Sequence, residues 1–225
     1  MRADQIVLPR IKTQLPALNL ALKPGSMTAV VGPNGCGKST LLSVLCGLLQ
    51  PNEGRVEIAG RDLGQMPISE RAQHIAWVAS TPPRGSALKV RTVLELAARF
   101  GPTAGASSTD EILKQFGLQG HSEMALSSLS DGWAQRAMIA RATAQNTQVI
   151  ILDEPTAFLD LPATVAVFGA LKSALDRGRT VVMSSHDFSA LERSEMVTDT
   201  LQFYADHIGH RAGFDADRIS EVLLG

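Results

Sequence analysis

Gly32-Pro33-Asn34-Gly35-Cys36-Gly37-Lys38-Ser39-Thr40 is the stretch on which the reading of the whole chain turns. An apolar run, Met27 to Val31, leads into it, and Leu41, Leu42, Val44, Leu45 and Leu48 follow at helical spacing. Strand, glycine-rich turn and helix together are the context in which G-x-x-x-x-G-K-[ST] forms a phosphate site. Glycines let the backbone curl so that successive N–H groups point into one concavity. The new helix adds its unpaired first-turn donors and the positive end of its dipole. Lys38 can reach the β- and γ-phosphates as a point charge, and the Ser39 hydroxyl can ligate Mg²⁺. The plainer alternative is a glycine-rich turn that merely precedes a core helix.

Further along, Val149-Ile150-Ile151-Leu152 is a run of apolar β-formers that ends in Asp153-Glu154. A strand apolar on both faces reads as a buried parallel strand, with the acids at its carboxyl end, where open α/β sheets bind ligands. Asp153 there can hold Mg²⁺, directly or through water, and Glu154 can polarise an attacking water. Alone, the same residues are an acidic turn after a strand. Leu129-Ser130-Asp131-Gly132-Trp133-Ala134-Gln135-Arg136 opens another helical pattern, with Ser130 as N-cap and Asp131 supporting the positive helix end. Ser184-Ser185-His186-Asp187 follows a further apolar run.

In that order, these pieces resemble the ATP-binding-cassette (ABC) ATPases, over essentially the whole chain. The resemblance implies a P-loop NTPase (RecA-like) core with an antiparallel N-terminal β subdomain and an inserted α-helical subdomain. It implies that ATP and Mg²⁺ are bound, with Gly32 to Thr40 cradling the phosphates. Ser130 and Gly132 match the serine and second glycine of the Leu-Ser-Gly-Gly-Gln signature, which grips the γ-phosphate held by a second copy. Asp131 stands at the first glycine of that motif and Trp133 at its glutamine. Ala157-Phe158-Leu159-Asp160 resembles the segment that crosses the dimer interface, and His186 matches the switch histidine at the γ-phosphate. Lys38, Glu154 and His186 are thus the implied catalytic set, with Ser39 and Asp153 on the metal.

Two positions depart from the family pattern. Ser80 falls where a glutamine usually ligates Mg²⁺, and there is no Gln from His74 to Lys114. A hydroxyl from Ser80 or Thr81 is the substitute ligand expected here, through a bridging water or a closer loop. Around Arg10-Ile11-Lys12-Thr13 no aromatic residue is present to stack on adenine, which leaves the Arg10 guanidinium plane for that role.

The rest of the chain accommodates this reading. Its 225 residues suit one α/β domain, and a composition 44% hydrophobic and 19% charged can bury a real core. A net charge of −1 and the lack of a long basic run speak against a general grip on nucleic acid. Two cysteines, Cys36 and Cys46, suggest a reducing compartment and no disulfide framework. Cys36 fits a small-residue position in the turn; the alternative is a redox thiol activated by the helix N-terminus. Residues 1–5 lack the apolar core of a signal peptide, and no window approaches the ~20 apolar residues of a membrane span.

Ile6 to Leu22 reads as antiparallel edge sheet, with strands also expected at Arg55–Ala59, Ile75–Val78, Val149–Leu152, Thr180–Met183 and Leu201–Tyr204. Helices are expected at Ser69–Gln73, Thr92–Phe100, Thr109–Phe116, Pro162–Asp176 and Ala216–Leu224, with a small-residue loop over Gly101–Ser108. The expected division is a core of 1–84 and 146–225 around a helical subdomain of 85–145.

A single cassette of this kind resembles the separate ATPase subunit of a bacterial importer of iron–siderophore complexes, haem or cobalamin. The implied partners are transmembrane permease subunits, a second copy in an ATP sandwich and, indirectly, a periplasmic or lipoprotein substrate-binding protein. No nucleic acid is expected, and the implied location is the cytoplasmic face of the inner membrane. The rival readings are a soluble ABC ATPase acting on nucleic acid or ribosomes, and a regulatory module with little turnover.

Overall fold

The computed structural model describes residues 1–10, 15–102 and 106–224. Ile11, Lys12 and Thr13 lie outside the described residues, as does part of the expected Gly101–Ser108 loop.

Two sheets carry the fold. One is a four-stranded antiparallel sheet of β1 (Arg2–Val7), β2 (Leu18–Ala21), β4 (Glu53–Ile58) and β5 (Arg61–Asp62), in the order β2-β1-β4-β5. Its first strand begins at Arg2, earlier than Ile6, because Arg2 to Asp4 already pair with Arg55 to Glu57. The other sheet has six strands: β3 (Met27–Val31), β6 (Ile75–Val78), β7 (Val149–Leu152), β8 (Thr180–Ser184), β9 (Asp199–Phe203) and β10 (Ile208–Ala212). They run β10-β9-β3-β8-β7-β6, all neighbours parallel except the β9/β10 hairpin at one edge. Both β5 and β10 escape a sequence reading, since β5 is two residues long and β10 buries none of its residues fully.

Every residue of β3, β7 and β8 is buried, as strands covered on both faces must be. Their pleat divides the core in two. Met27, Ala29, Ile150, Leu152, Val181 and Met183 face one cluster, which also takes in Val93, Ile112, Ala137, Val167 and Ile219. Those last residues come from α3 (Val90–Ala98), α4 (Thr109–Gln115), α5 (Asp131–Ala144), α6 (Leu161–Asp176) and α8 (Ala216–Leu224). Val30, Val149, Ile151 and Val182 face the other cluster, shared with α1 (Lys38–Leu45) and the antiparallel sheet. Leu48 does not extend α1. The helix ends at Leu45, and Leu48 is 60% exposed. Two short helices complete the chain, α2 (Ile68–His74) and α7 (Phe188–Ser194).

The strand order has a direct consequence for function. Parallel neighbours β3, β8, β7 and β6 release the chain at one edge of the sheet, so the residues following each strand converge there. Those residues are the glycine-rich loop, Ser185-His186, Asp153-Glu154 and Ala79-Ser80.

Candidate functional site

A cleft of about 290 Å³ opens at this edge, lined by Arg10, Asn34, Gly35, Lys38, Ser39, Thr40, Ser80, Glu154 and His186, with Gly37 beside them. The turn into α1 passes through Gly37, whose φ of 115° lies in the left-handed region that L side chains avoid. That conformation starts the helix at Lys38. The Lys38 side chain is only 7% exposed, and its ammonium donates to Gly32 O at 2.9 Å and Pro33 O at 3.1 Å. The same ammonium lies 3.1 Å from His186 Nε2.

Glu154 meets the same histidine. The His186 amide donates to Glu154 Oε2 at 3.1 Å, and His186 Nε2 lies 3.3 Å from Glu154 Oε1. Glu154 takes a φ of 46°, a strained value for a residue with a side chain, and this turns it out of the line of β7. The strain is held by Ser184, whose hydroxyl accepts from the Glu154 amide at 2.9 Å and donates to Asp153 Oδ1 at 2.6 Å. Burial pushes the Glu154 carboxyl above its ordinary range, with the nearby charges of His186 and Lys38 pulling the other way. Glu154 Oε1 is buried and accepts no hydrogen bond among the described residues.

Asp153 lies beneath this cleft rather than in its wall, 3% exposed, with its amide donating to Val78 O at 2.9 Å. Ser39 and Ser80 present hydroxyls to the cleft itself. Oxygen donors of this kind suit Mg²⁺, which favours one or two carboxylates, hydroxyls, water and phosphate oxygens over an all-protein cage. Among the described residues no cluster of three His, Cys, Asp or Glu side chains is placed to hold a metal. Burial raises the Cys36 pKa and outweighs the lowering effect of Lys38, the opposite of the shift an activated thiol needs.

Ser130, Asp131 and Gly132 stand apart from this cleft, at the start of α5. Ser130 and Gly132 border a hollow of about 220 Å³ that also takes in Trp133, Arg136, Phe158 and Asp160. Ser130 occupies the N-cap position, yet its side chain makes no capping bond; only its carbonyl is used, accepting from Ala134 N at 2.8 Å. Gly132 is pressed against the chain after β7, where a Cβ would meet Phe158 O at 2.7 Å. Trp133 stacks on His121 with ring centroids 3.9 Å apart, and the Arg136 guanidinium covers it at 4.2 Å. One chain therefore gathers Lys38, Ser39, Thr40, Ser80, Glu154 and His186 into one cleft and leaves Ser130 to Gly132 in another place.

The sequence profile of the ABC transporter family matches residues 15–157. The chain belongs to the ABC transporter family. It is the ATP-binding cassette of that family, the unit that binds ATP and acts as an ATPase. The iron(3+)-hydroxamate import ATP-binding protein FhuC of Bacillus subtilis (strain 168) is 31% identical over 185 residues, 78% of this chain and 68% of that protein. The cobalamin import ATP-binding protein BtuD of Halobacterium salinarum (strain ATCC 29341 / DSM 671 / R1) is 33% identical over 202 residues, 87% of this chain. That match spans 50% of BtuD, so the cassette covers about half the length of this relative. A dimeric ATP-binding cassette solved in a post-hydrolysis state with ADP and Pi superposes with a TM-score of 0.81 at 25% identity, over 95% of this chain and 99% of that one.

Ser184, Gln135 and Arg84 received no role from the sequence. Ser184 could have been suspected from its place at the end of an apolar strand beside the histidine. Nothing local marks the other two, because their partners are far along the chain: Gln135 bonds Ala79 O and Arg84 pairs with Asp131.

Proposed function

We propose that this cassette hydrolyses ATP to drive a membrane importer of the class that carries iron–siderophore complexes, haem or cobalamin, working as a peripheral subunit on the cytoplasmic face of the membrane. The observation that carries the chemistry is the convergence of Lys38, Glu154 and His186 on one cleft at the carboxyl edge of the sheet. The cargo class is supported by the importer names of the relatives above.

Lys38, the loop amides and the first turn of α1 bind the triphosphate. Mg²⁺ held by Ser39, Ser80 and Asp153 would neutralise charge on the β- and γ-phosphates. Glu154, whose pKa burial raises, is the carboxylate placed to accept a hydrogen bond, and then the proton, from the attacking water. His186 orients that carboxylate and faces the γ-phosphate. Arg10, in the cleft wall, is the group available to stack on the base. None of these groups forms a covalent intermediate; the contributions are position and charge.

Ser130 and Gly132 serve a second copy. In a head-to-tail pair each γ-phosphate meets Lys38 of one protomer and Ser130 of the other, and hydrolysis releases the bridge. The permease contact falls on an apolar groove of about 490 Å³ lined by Ile68, Leu88, Val93, Leu96 and Phe100, between α2 and the helices 90–144. Ile68 is 79% and Phe100 51% exposed there, more than an isolated surface should leave in one patch. No helix among the described residues is long and apolar enough to cross a membrane. A substrate-binding protein acts on the far side, and nucleic acid has no part.

The test is Glu154→Gln. ATP turnover with the permease should fall about 100-fold or more, as when a general base is removed. The variant should accumulate an ATP-bound dimer on size exclusion with ATP and Mg²⁺. Undiminished turnover would leave Glu154 outside the chemistry, and a strictly monomeric variant would count against the paired arrangement.

A further inference from the structure

The chain that leaves β6 is fastened to α5 at two points. Gln135, wholly buried on α5, donates through Nε2 to Ala79 O at 3.2 Å. Five residues beyond Ala79, Arg84 Nη2 reaches Asp131 Oδ2 at 2.6 Å, the one ion pair Asp131 makes among the described residues.

Asp131 is an awkward residue for its place. It is the first residue of α5, set between Ser130 and Gly132. The open donors and positive dipole end of a helix start attract anions, and a carboxylate there satisfies the helix but repels a second anion. A triphosphate brought up by another copy carries several negative charges. The Ser130 hydroxyl, which caps nothing, leaves the first-turn amides to whatever anion arrives. Among the described residues only Arg84 pairs with the aspartate.

We propose that Arg84 is a positioning residue for nucleotide sandwiching: it neutralises Asp131 and draws its carboxylate aside, so that α5 can receive the partner-bound γ-phosphate. Because Arg84 lies on the loop between β6 and the permease-facing groove, the same contact links that loop to the competence of the sandwich. This inference rests on the paired arrangement proposed above. The contact is exposed, with side-chain accessibilities of 74% and 34%, so it adds little to folding and its removal leaves a folded protein.

The experiment uses full-length Glu154→Gln protein with ATP and Mg²⁺, reading dimer formation by analytical ultracentrifugation across protein concentration. Adding Arg84→Ala should raise the concentration needed for dimer about tenfold at low salt, the order expected of one uncompensated charge near a triphosphate at a half-exposed site. The gap should narrow as salt rises, because exposed charges are screened. Arg84→Lys should stay within roughly threefold of the parent, since a point charge suffices to neutralise. Adding Asp131→Gly to Arg84→Ala should restore the dimer, which a merely structural role for Arg84 does not predict. Binding of a fluorescent ATP analogue by the monomer should be the same in all variants. Dimerisation indifferent to Arg84→Ala, or a double variant as weak as Arg84→Ala alone, overturns the inference while leaving the sandwich intact. A Glu154→Gln parent that never dimerises removes the sandwich and the role of Arg84 with it.

Discussion

In the cleft at the sheet edge, three of the functional side chains already have partners inside the chain: Lys38 has two carbonyls and His186, Asp153 has Ser184, and Glu154 has the His186 amide. At the start of α5 the groups given an equivalent task have almost none. Ser130 is uncapped and exposed, and Asp131 is held by one surface ion pair. A site that is finished within one chain is built of buried, mutually bonded groups, since each orphaned polar atom there costs free energy. A site finished by another molecule must leave its donors open to solvent until that molecule arrives. In the proposed sandwich the same phosphate would be met by a rigid half and by an open half.

The largest effect should come from the finished half. Lys38→Ala removes the cation buried against the phosphate loop. Charge-assisted bonds of this kind are worth about 1.5–3 kcal/mol each, so ATP affinity should fall on the order of 100-fold in titration calorimetry. Because this half works alone, the loss should be equal in dilute monomer and in concentrated protein. A loss that appears only at high concentration would move Lys38 into the interface and break the division.

Both halves differ in how far the sequence revealed them. The phosphate loop, the acids after β7 and the histidine after β8 are legible because their chemistry is local: a strand, then a turn, then a helix, with the functional residue at the junction. Their convergence follows once the strands are known to be parallel neighbours. What stayed hidden depends on pairs distant in sequence. Ser184 bridging Asp153 and Glu154 joins two strands 30 residues apart, counted from its bond to the Glu154 amide. Arg84 on Asp131 joins a loop to a helix 47 residues away, and no pattern around Arg84 points to that partner. The edge hairpin β9/β10 was half hidden for another reason. An edge strand with an exposed face lacks the continuous apolar run that betrayed β7.

An intermediate effect should come from the open half. Gly132→Ala places a methyl within 2.7 Å of Phe158 O, a backbone atom that cannot swing away. Either α5 or the segment after β7 must shift, at about 1–3 kcal/mol for overpacking. At roughly 2–4 °C per kcal/mol for a chain of this size, the melting temperature should fall by about 2–12 °C. Monomer ATP affinity should stay within about twofold, as for sites with no shared partner, whereas the ATP-dependent dimer of Glu154→Gln should weaken. Equal damage to nucleotide binding would mean that the two regions are coupled inside one chain.

The smallest effect should sit within the cleft and report its electrostatics. Burial raises the Glu154 carboxyl pKa in the folded protein, against the pull of His186 and Lys38. Between the ordinary carboxylate value and the raised one, the folded state holds more proton than the unfolded chain, so stability falls as pH rises through that window. Below the ordinary value the protonated carboxyl carries no such penalty; above the raised value the full penalty is present. An amide at this position never ionises. Glu154→Gln should therefore melt above the parent at pH 7.5, by about 1–2 °C, and the difference should close as the pH approaches 4. Calorimetric scans of both proteins across that range decide it. A difference that persists unchanged to acidic pH would show that the amide packs better than the acid for reasons unrelated to charge. No difference at any pH would show that Lys38 and His186 fully compensate the burial of the carboxylate, and the finished half would then be balanced in charge as well as in hydrogen bonds.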